Sequence, residues 1–167
     1  MRSAVAISYE LDDPAEAAGQ LAGSIREKLR LGKHSIGILL CDADTDGAAL
    51  TGELEKTLGF EIAGMTTLAV LDSGGHHEAA AVLMALTADD CGFFASVSEP
   101  LSEGDYERKI ADAYRAAGPS EGGYGAGPGV IFAFCPYGMP FSGDRYPDIL
   151  SRTMPGVPLM GGIASDD

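Results

Sequence analysis

The segment that most constrains the fold is SIGILLC, Ser35 to Cys41, which is apolar at nearly every position. A strand with one solvated face alternates apolar and polar residues, and this run does not. Both faces of such a strand are expected to be covered. Strands of this kind occur in sheets flanked by helices, so the segment predicts an α/β fold.

Helix signals stand on both sides of this strand. Asp13 precedes Pro14, and Glu16 follows three positions after Asp13, which is the residue order of a capped helix start. Apolar residues then recur at helical spacing from Ala18 to Leu29, and again from Leu50 to Leu58. The order of strand and helix therefore alternates along this part of the chain.

The other short apolar runs predict further strands, and two longer patterned segments predict helices. The strands are Ser3 to Tyr9, Phe60 to Thr67, Leu68 to Leu71, Ala79 to Leu86, Gly92 to Val97, Val130 to Cys135 and Val157 to Ile163, and the helices are Ser102 to Ala117 and Asp144 to Met154. The segments 68–71, 79–86 and 92–97 are too close together for crossover helices, so antiparallel pairing is expected. We predict a mixed sheet with covering helices.

Two segments have the same order of features. Each has an apolar strand ending in cysteine, then a loop, a helix, a turn and a strand with glycine; one runs from Cys41 to Gly64 and the other from Cys135 to Gly161. This order predicts an internal strand-helix-strand duplication in which the two loops occupy equivalent places. The length of 167 residues suits a single domain, residues 1–167.

Composition excludes several classes of partner. The formal net charge is −14, with 11 Lys and Arg against 25 Asp and Glu, so a phosphate backbone would be repelled and nucleic-acid binding is not expected. The chain has no apolar run of about 18 residues for a membrane span and no signal-peptide pattern at its start. Cys41, Cys91 and Cys135 are odd in number and widely spaced, as in reduced proteins. These features predict a cytoplasmic protein without membrane contact.

The loop after SIGILLC matches the spacing of a calcium-binding EF-hand loop. In CDADTDGAALTGE the potential oxygen ligands are Asp42, Asp44, Asp46 and Glu53. An EF-hand loop is entered from a helix, whereas this one is entered from a predicted strand. Asp46 or Thr45 is expected to cap the following helix instead. We interpret the segment as a strand-end loop and predict no metal site, with cation binding by the carboxylates as the open alternative.

Other motifs give weaker indications. Asp42-Ala-Asp44 after an apolar strand resembles the nucleophile motif of haloacid-dehalogenase-type phosphatases, but Asp46 stands where that family has threonine or valine. The glycine-rich stretch 119–129 precedes a strand, whereas a phosphate-binding loop follows one. His76-His77-Glu78 is interpreted as a polar turn. No catalytic residue is therefore predicted.

The C-terminal segment VPLMGGIASDD, Val157 to Asp167, resembles the FIST sensory domain, and IAGMTT, Ile62 to Thr67, is similar to the first strand of that family. The resemblance extends from about Ser35 onward. It implies the N-terminal half of an intracellular sensor that binds a small ligand, such as an amino acid, and is coupled to a signalling output. The chain ends where the family continues, so the C-terminal half is expected to be lacking. Leu68 to Gly75 also replaces the family's usual Gly-Glu turn.

The resemblance also indicates a ligand site. Backbone N–H groups of the paired glycines, together with nearby hydroxyls, can bind a carboxylate without a charged side chain. The predicted ligand-binding residues are Thr66, Thr67, Cys135, Gly161, Gly162 and Ser165. Close packing of the strand is the other explanation for the glycines.

We thus predict a non-catalytic cytoplasmic sensor domain without cofactor. The alternatives are a cation-dependent hydrolase of phosphatase type that uses Asp42 and Asp44, and an interaction module without ligand.

Overall fold

The computed structural model describes residues 1–72, 74–117, 129–136, 138 and 143–164. The strands are β1 (Arg2–Ser8), β2 (His34–Asp42), β3 (Ile62–Thr67), β4 (Val70–Asp72), β5 (Gly75–His77), β6 (Ala81–Ala88), β7 (Ile131–Cys135) and β8 (Leu159–Ile163). The helices are α1 (Pro14–Lys28), α2 (Gly47–Leu58), α3 (Tyr106–Ala117) and α4 (Arg145–Thr153). Contacts divide the chain into two compact units, Met1–Phe93 and Phe94–Ala164.

The first unit is built on a mixed four-stranded sheet with the order β1-β6-β2-β3. Strand β6 is antiparallel to both β1 and β2, and β3 is parallel to β2. The pair is parallel because the crossover through α2 carries the chain back to the end of the sheet at which β2 began, so β3 runs in the same direction as β2. The predicted α/β fold with a mixed sheet is confirmed.

Helices α1 and α2 pack on one face of this sheet. As predicted, Asp13 caps α1: its carboxylate accepts the backbone N–H groups of Ala15 and Glu16. The buried core between helices and sheet includes Leu21, Ile25, Leu50, Leu54 and Leu83. Burial of each such side chain stabilises the fold by about 1.5–3 kcal/mol.

Strand β2, which contains SIGILLC, is covered on both faces. Leu39 and Cys41 lie in the core under the two helices, and Ile38, which points to the other face, is buried as well. The absence of a polar face in SIGILLC therefore reflects its place inside the sheet, next to β6 on one side and β3 on the other.

The region between β3 and β6 differs in part from the expectation. His76-His77-Glu78 was interpreted as a polar turn, but Gly75–His77 forms β5 and pairs antiparallel with β4 as a separate two-stranded sheet. Val70 of this hairpin packs with Val82 on the sheet face opposite the helices.

The predicted strand at 92–97 is wrong, since no strand forms over these described residues. Strand β6 already has β1 and β2 as neighbours, so the chain that leaves it finds no free edge beside it. Val97 is 92% exposed, so its apolar side chain faces solvent and does not belong to the buried face of a strand.

The second unit contains the parallel pair β7-β8 with α3 and α4. Buried residues of the two helices and of the turn after α4 form its core: Tyr106, Ile110, Ile149, Leu150 and Met154. Helix α3 begins at Tyr106 and not at Ser102 as predicted, and the carbonyl of Ser102 accepts the N–H groups of Asp105 and Tyr106 in the turn before the helix. Within the part of the chain that the structure describes, no helix has both the length and the apolar composition to cross a membrane.

Each unit contains one close backbone approach between parallel strands. Gly64 lies opposite Leu39, and a Cβ added at Gly64 would stand 1.7 Å from the Leu39 carbonyl oxygen. Gly161 lies opposite Ala133, and a Cβ added there would likewise stand 1.7 Å from the Ala133 carbonyl oxygen. This shared geometry agrees with an internal duplication, which remains a prediction.

Replacement of Gly64 by alanine tests the close approach. The Gly64→Ala variant is expected to lose at least about 3 kcal/mol of unfolding free energy, because its methyl group would overlap a backbone carbonyl that cannot rotate away. Urea denaturation measures the difference.

Gly52→Ala is the matched control. Gly52 lies within α2, and an added Cβ would have no described atom within 4 Å other than those of its chain neighbours and of the helix's own backbone. This variant is expected to gain about 0.5–1 kcal/mol from helix propensity. A Gly64→Ala protein as stable as Gly52→Ala would contradict the close approach.

Candidate functional site

The carboxyl ends of β2 and β3 meet the N-terminus of α2 in the first unit. In the parallel register Cys41 lies opposite Thr66 and Asp42 lies opposite Thr67. A Cβ added at Gly47, the first residue of α2, would lie 3.5 Å from the Cys41 sulfur and 3.9 Å from Cγ2 of Thr66. The helix therefore begins directly over Cys41 and Thr66. Ends of parallel strands beside a helix N-terminus are the usual place of ligand sites in α/β proteins.

The loop between β2 and α2 folds back on Asp42. Oδ1 of Asp42 accepts the backbone N–H of Asp44 at 3.0 Å, and its carbonyl accepts the N–H of Thr45 at 3.0 Å. Asp46 caps α2, because its Oδ1 accepts the N–H of Ala49 at 2.9 Å. The sequence allowed either Thr45 or Asp46 as the cap, and the structure has Asp46.

The carboxylates of the calcium-like pattern have other partners. Glu53, which would supply the last ligand of an EF-hand loop, pairs with Lys56 at 2.6 Å. Among the described residues, no group of three or more His, Cys, Asp or Glu side chains is placed to hold a metal ion. The EF-hand spacing here coincides with a strand end, a capped helix and a surface ion pair.

Thr45 is the buried side chain of this loop. It is 8% exposed, whereas Asp44 and Asp46 on either side are exposed, so Thr45 turns inward while its neighbours face solvent. Its hydroxyl oxygen is enclosed and has no hydrogen-bond partner in the described structure. A buried hydroxyl usually has one. Sequence reasoning missed this residue, because a threonine between two aspartates is typical of a solvated loop.

Cys41 is an inert thiol. It is 2% exposed, and burial, with a smaller contribution from the Asp42 carboxylate, raises its pKa to about 11. The thiolate is the nucleophilic and metal-binding form of cysteine. Cys41 is therefore protonated at neutral pH and acts as a core residue.

The two predicted threonines differ in their surroundings. The Thr67 hydroxyl donates to the carbonyl of Ala69 at 3.1 Å, and the Thr67 carbonyl accepts the N–H of Ala43 at 3.1 Å. Thr67 thus holds the chain at the end of β3. Thr66 is half-buried on the side of the sheet where α2 begins. Of the two side chains, Thr66 is the one next to the helix N-terminus.

The second unit places Cys135 at the corresponding end of β7. Its Sγ donates to the carbonyl of Gly162 at 3.6 Å, and its own carbonyl accepts the N–H of Ala164 at 2.8 Å. Burial raises the pKa of the Cys135 thiol, so it too is protonated at neutral pH. Burial, followed by the proximity of Cys135, also raises the pKa of Tyr146 on α4.

The predicted glycines of this unit lie on β8. Gly161 has a φ of +148° and sits where a Cβ would strike the Ala133 carbonyl, so close packing by itself explains this glycine. Gly162 accepts from Cys135 through its carbonyl. Ser165, the last predicted ligand residue, lies outside the described residues.

The predicted site residues therefore fall into two groups, one in each unit. Thr66 and Thr67 belong to the first, and Cys135, Gly161 and Gly162 belong to the second. Their assembly into one ligand site remains a prediction.

The histidine pair has a structural role in the first unit. The Tyr9 hydroxyl and His77 Nδ1 lie 2.7 Å apart, and their rings meet edge to face with centroids 5.7 Å apart. This contact joins the segment after β1 to the β4–β5 hairpin. The histidines therefore belong to a paired hairpin, and no metal cluster forms around them among the described residues.

The family of the chain is established by its sequence. A family model of the FIST N domain matches residues 35–167, which is most of the chain, and the protein belongs to that family. The FIST domain is a sensory domain of signal transduction. No curated protein and no solved structure matches the chain.

Substitution of Thr45 by valine tests its missing hydrogen bond. The Thr45→Val variant is expected to keep its unfolding free energy or gain up to about 1 kcal/mol, because a buried hydroxyl without a partner is costly. Urea denaturation of the unliganded protein measures the change.

Thr87→Val is the matched control, since Thr87 is also enclosed but is fully bonded. Its hydroxyl accepts the N–H of Gly32 at 2.7 Å and donates to the His34 carbonyl at 3.0 Å. This variant is expected to lose about 1–3 kcal/mol. Equal losses in the two variants would show that Thr45 has a partner after all.

The raised pKa of Cys41 predicts a pH dependence of stability. The thiol ionises near its ordinary value of 9.0 in the unfolded chain and near 11 in the folded protein. The folded state therefore keeps the proton longer, and stability is full below pH 9 and falls as the pH rises from about 9 to about 11. The loss assignable to Cys41 is about 2 kcal/mol.

Comparison of the wild type with Cys41→Ala isolates this effect from other groups that titrate in alkali. Denaturation at several pH values between about 8 and about 11.5 should show the difference between the two proteins shrinking by that amount. A constant difference would contradict the raised pKa.

Proposed function

We propose that this protein is a non-catalytic, cytoplasmic sensor domain that binds a small ligand such as an amino acid and passes the signal to an output domain or protein. The proposal is supported by one arrangement above all: hydroxyl and glycine backbone groups at the carboxyl ends of parallel strands, in the first unit beside the start of α2. Such groups bind polar ligands without providing a nucleophile or a general base.

Lack of catalysis is supported by the state of the candidate nucleophiles. Raised pKa values keep Cys41 and Cys135 protonated at neutral pH, so neither is an activated thiol. The hydrolase alternative requires Asp42 and Asp44 to share a cation. Oδ1 of Asp42 instead accepts the Asp44 backbone N–H, and Asp44 is exposed.

The proposed ligand contacts are those of the predicted set. The hydroxyls of Thr66 and Thr67 are the proposed contacts of the first unit, and the backbone N–H groups of Gly161 and Gly162, with Cys135 beside them, are those of the second. Ser165 is the remaining proposed contact. Amides and hydroxyls suit a carboxylate in this chain, because few basic side chains are available to neutralise it. The whole of residues 1–167 would act as the single N-terminal domain of the sensor.

The proposed compartment agrees with the cysteines. Cys41, Cys91 and Cys135 are all free thiols, and two of them are buried. Free thiols persist in reducing surroundings such as the cytoplasm. An output partner is proposed from the family's role in signal transduction.

A thermal-shift screen with the common amino acids tests the ligand class. An amino acid present at about 100 times its Kd should raise Tm by roughly 5–10 °C, because binding to the folded state adds about 2.7 kcal/mol. Calcium and magnesium should leave Tm unchanged. A shift with either cation and none with any amino acid would favour the hydrolase alternative.

A matched pair of variants locates the effect. Thr66→Val removes a hydroxyl beside the start of α2, whereas Thr57→Val removes one near the other end of the same helix. The amino acid shift should fall with Thr66→Val and persist with Thr57→Val. No shift with any amino acid or cation would leave an interaction module without ligand.

A further inference from the structure

We propose that the outer edge of β7, on the side away from β8, is a docking site for one extended strand of the output partner. The docked strand would pair antiparallel with β7 and carry aliphatic residues at alternate positions, with basic residues at its ends. The proposal rests on the proposed function, since it gives the output partner its docking surface. Two features of the second unit support it: main-chain groups that face this edge, and an exposed apolar face beside it.

The main-chain groups of β7 divide between the two sides of the strand. The N–H of Ile131 donates to the carbonyl of Pro158 at 3.0 Å, and the carbonyl of Cys135 accepts the N–H of Ala164 at 2.8 Å. Alternate residues of a strand bond to the same neighbour, so Ala133, which lies between these two, also faces β8.

The intervening residues of β7 face the other side. The N–H and carbonyl groups of Phe132 and Phe134 point away from β8, and no strand of the described residues pairs with β7 there. A row of such groups is a template on which another chain can add a strand.

The first unit shows which element fills the equivalent edge. The close glycine contacts align the two parallel pairs, with Leu39 of β2 in the place of Ala133 of β7. Ile38 of β2 therefore corresponds to Phe132. In the first unit this edge of β2 is occupied by β6, which runs antiparallel and sets Met84 opposite Ile38. An antiparallel strand with aliphatic side chains is thus the expected occupant beside β7.

The side chains next to the open edge are apolar and exposed. Ile131 and Leu159 pack against the core formed by α3 and α4. Phe132 and Met160 are the next pair in register and point to the opposite face, where they are 40% and 56% exposed. Ile38, the counterpart of Phe132, is only 8% exposed. Because parallel strands are normally covered on both faces, an apolar partner is expected on this face of β7 and β8.

The size and charge of this surface favour a single strand over a second copy of the chain. Its apolar part consists of a few partly exposed side chains, chiefly Val130, Phe132 and Met160, and is well below the roughly 800 Å² that a stable interface buries on each partner. Two copies would also repel each other, since each has a formal net charge of −14. Basic residues at the ends of a partner strand would be attracted by the same charge.

Hydrogen exchange of the isotopically labelled protein, followed by NMR, tests the docking edge. The probe is a short peptide that alternates valine and threonine between terminal lysines. The matched control peptide has proline at two adjacent central positions, so that one proline must remove an N–H donor from the ladder. The valine peptide should slow exchange of the Phe132 and Phe134 amides at least about 10-fold, and the proline peptide should not.

Variants locate the contact on the exposed face. Phe132→Thr and Met160→Thr remove apolar contacts but keep residues suited to a strand, and each should weaken binding of the valine peptide at least about 10-fold. Val97→Thr is the matched control, since Val97 is exposed in the same unit but lies outside any strand, and it should leave binding unchanged. The amide spectrum of each variant confirms its fold.

Three results would each overturn the docking edge: unchanged exchange at Phe132 and Phe134 with about 1 mM valine peptide, an equal effect of the proline peptide, or undiminished binding in both Phe132→Thr and Met160→Thr. Protection of the same two amides that rises with protein concentration, without any peptide, would assign the edge to a second copy and overturn the partner strand.

The amino acid screen keeps failure of this inference distinct from failure of the proposed function. Amino acid binding without peptide protection would overturn the docking edge and leave the sensor standing. Peptide protection without a response to any amino acid would support the docking edge and overturn the sensor.

Discussion

The parallel pairing of β2 with β3 is the constraint on which the rest of the first unit depends. The two strands approach so closely at Gly64 and Leu39 that no side chain fits between them. This register sets Cys41 beside Thr66 and directs the crossover helix α2 to begin over both. The same contact recurs in the second unit, where Gly161 meets Ala133. In each unit a backbone-to-backbone contact positions the strand end at which polar groups gather.

The acidic loop shows how one local pattern can fit several functions until its hydrogen bonds are known. Its carboxylates have the spacing of calcium ligands, yet Asp46 caps a helix, Asp42 closes a turn and Glu53 pairs with a lysine. These roles use short-range contacts that stabilise the loop without a cation. The buried side-chain group of this loop that has no hydrogen-bond partner is the neutral hydroxyl of Thr45.

Much of the secondary structure could be predicted from the sequence, because the signals were local. Asp13 and Pro14 marked the start of α1, and the apolar spacing ended at Leu58, where α2 ends, with Gly59 following at a φ of +80°. The errors came from segments whose conformation depends on distant partners. The predicted strand at 92–97 had an apolar pattern but no free sheet edge, and β5 had turn-like residues but paired with β4.

For the candidate site, the sequence by itself determined the residue types that gather at strand ends, the excess of acidic residues that disfavours nucleic acid as a partner, and membership of the FIST N domain family. These follow from composition and from motifs read along the chain. Only the tertiary structure decided which hydroxyls have partners, that Thr67 holds a turn while Thr45 is enclosed, and that the pKa of the Cys41 thiol is raised. Burial and hydrogen bonding depend on groups brought together from distant positions, and a linear sequence does not record them.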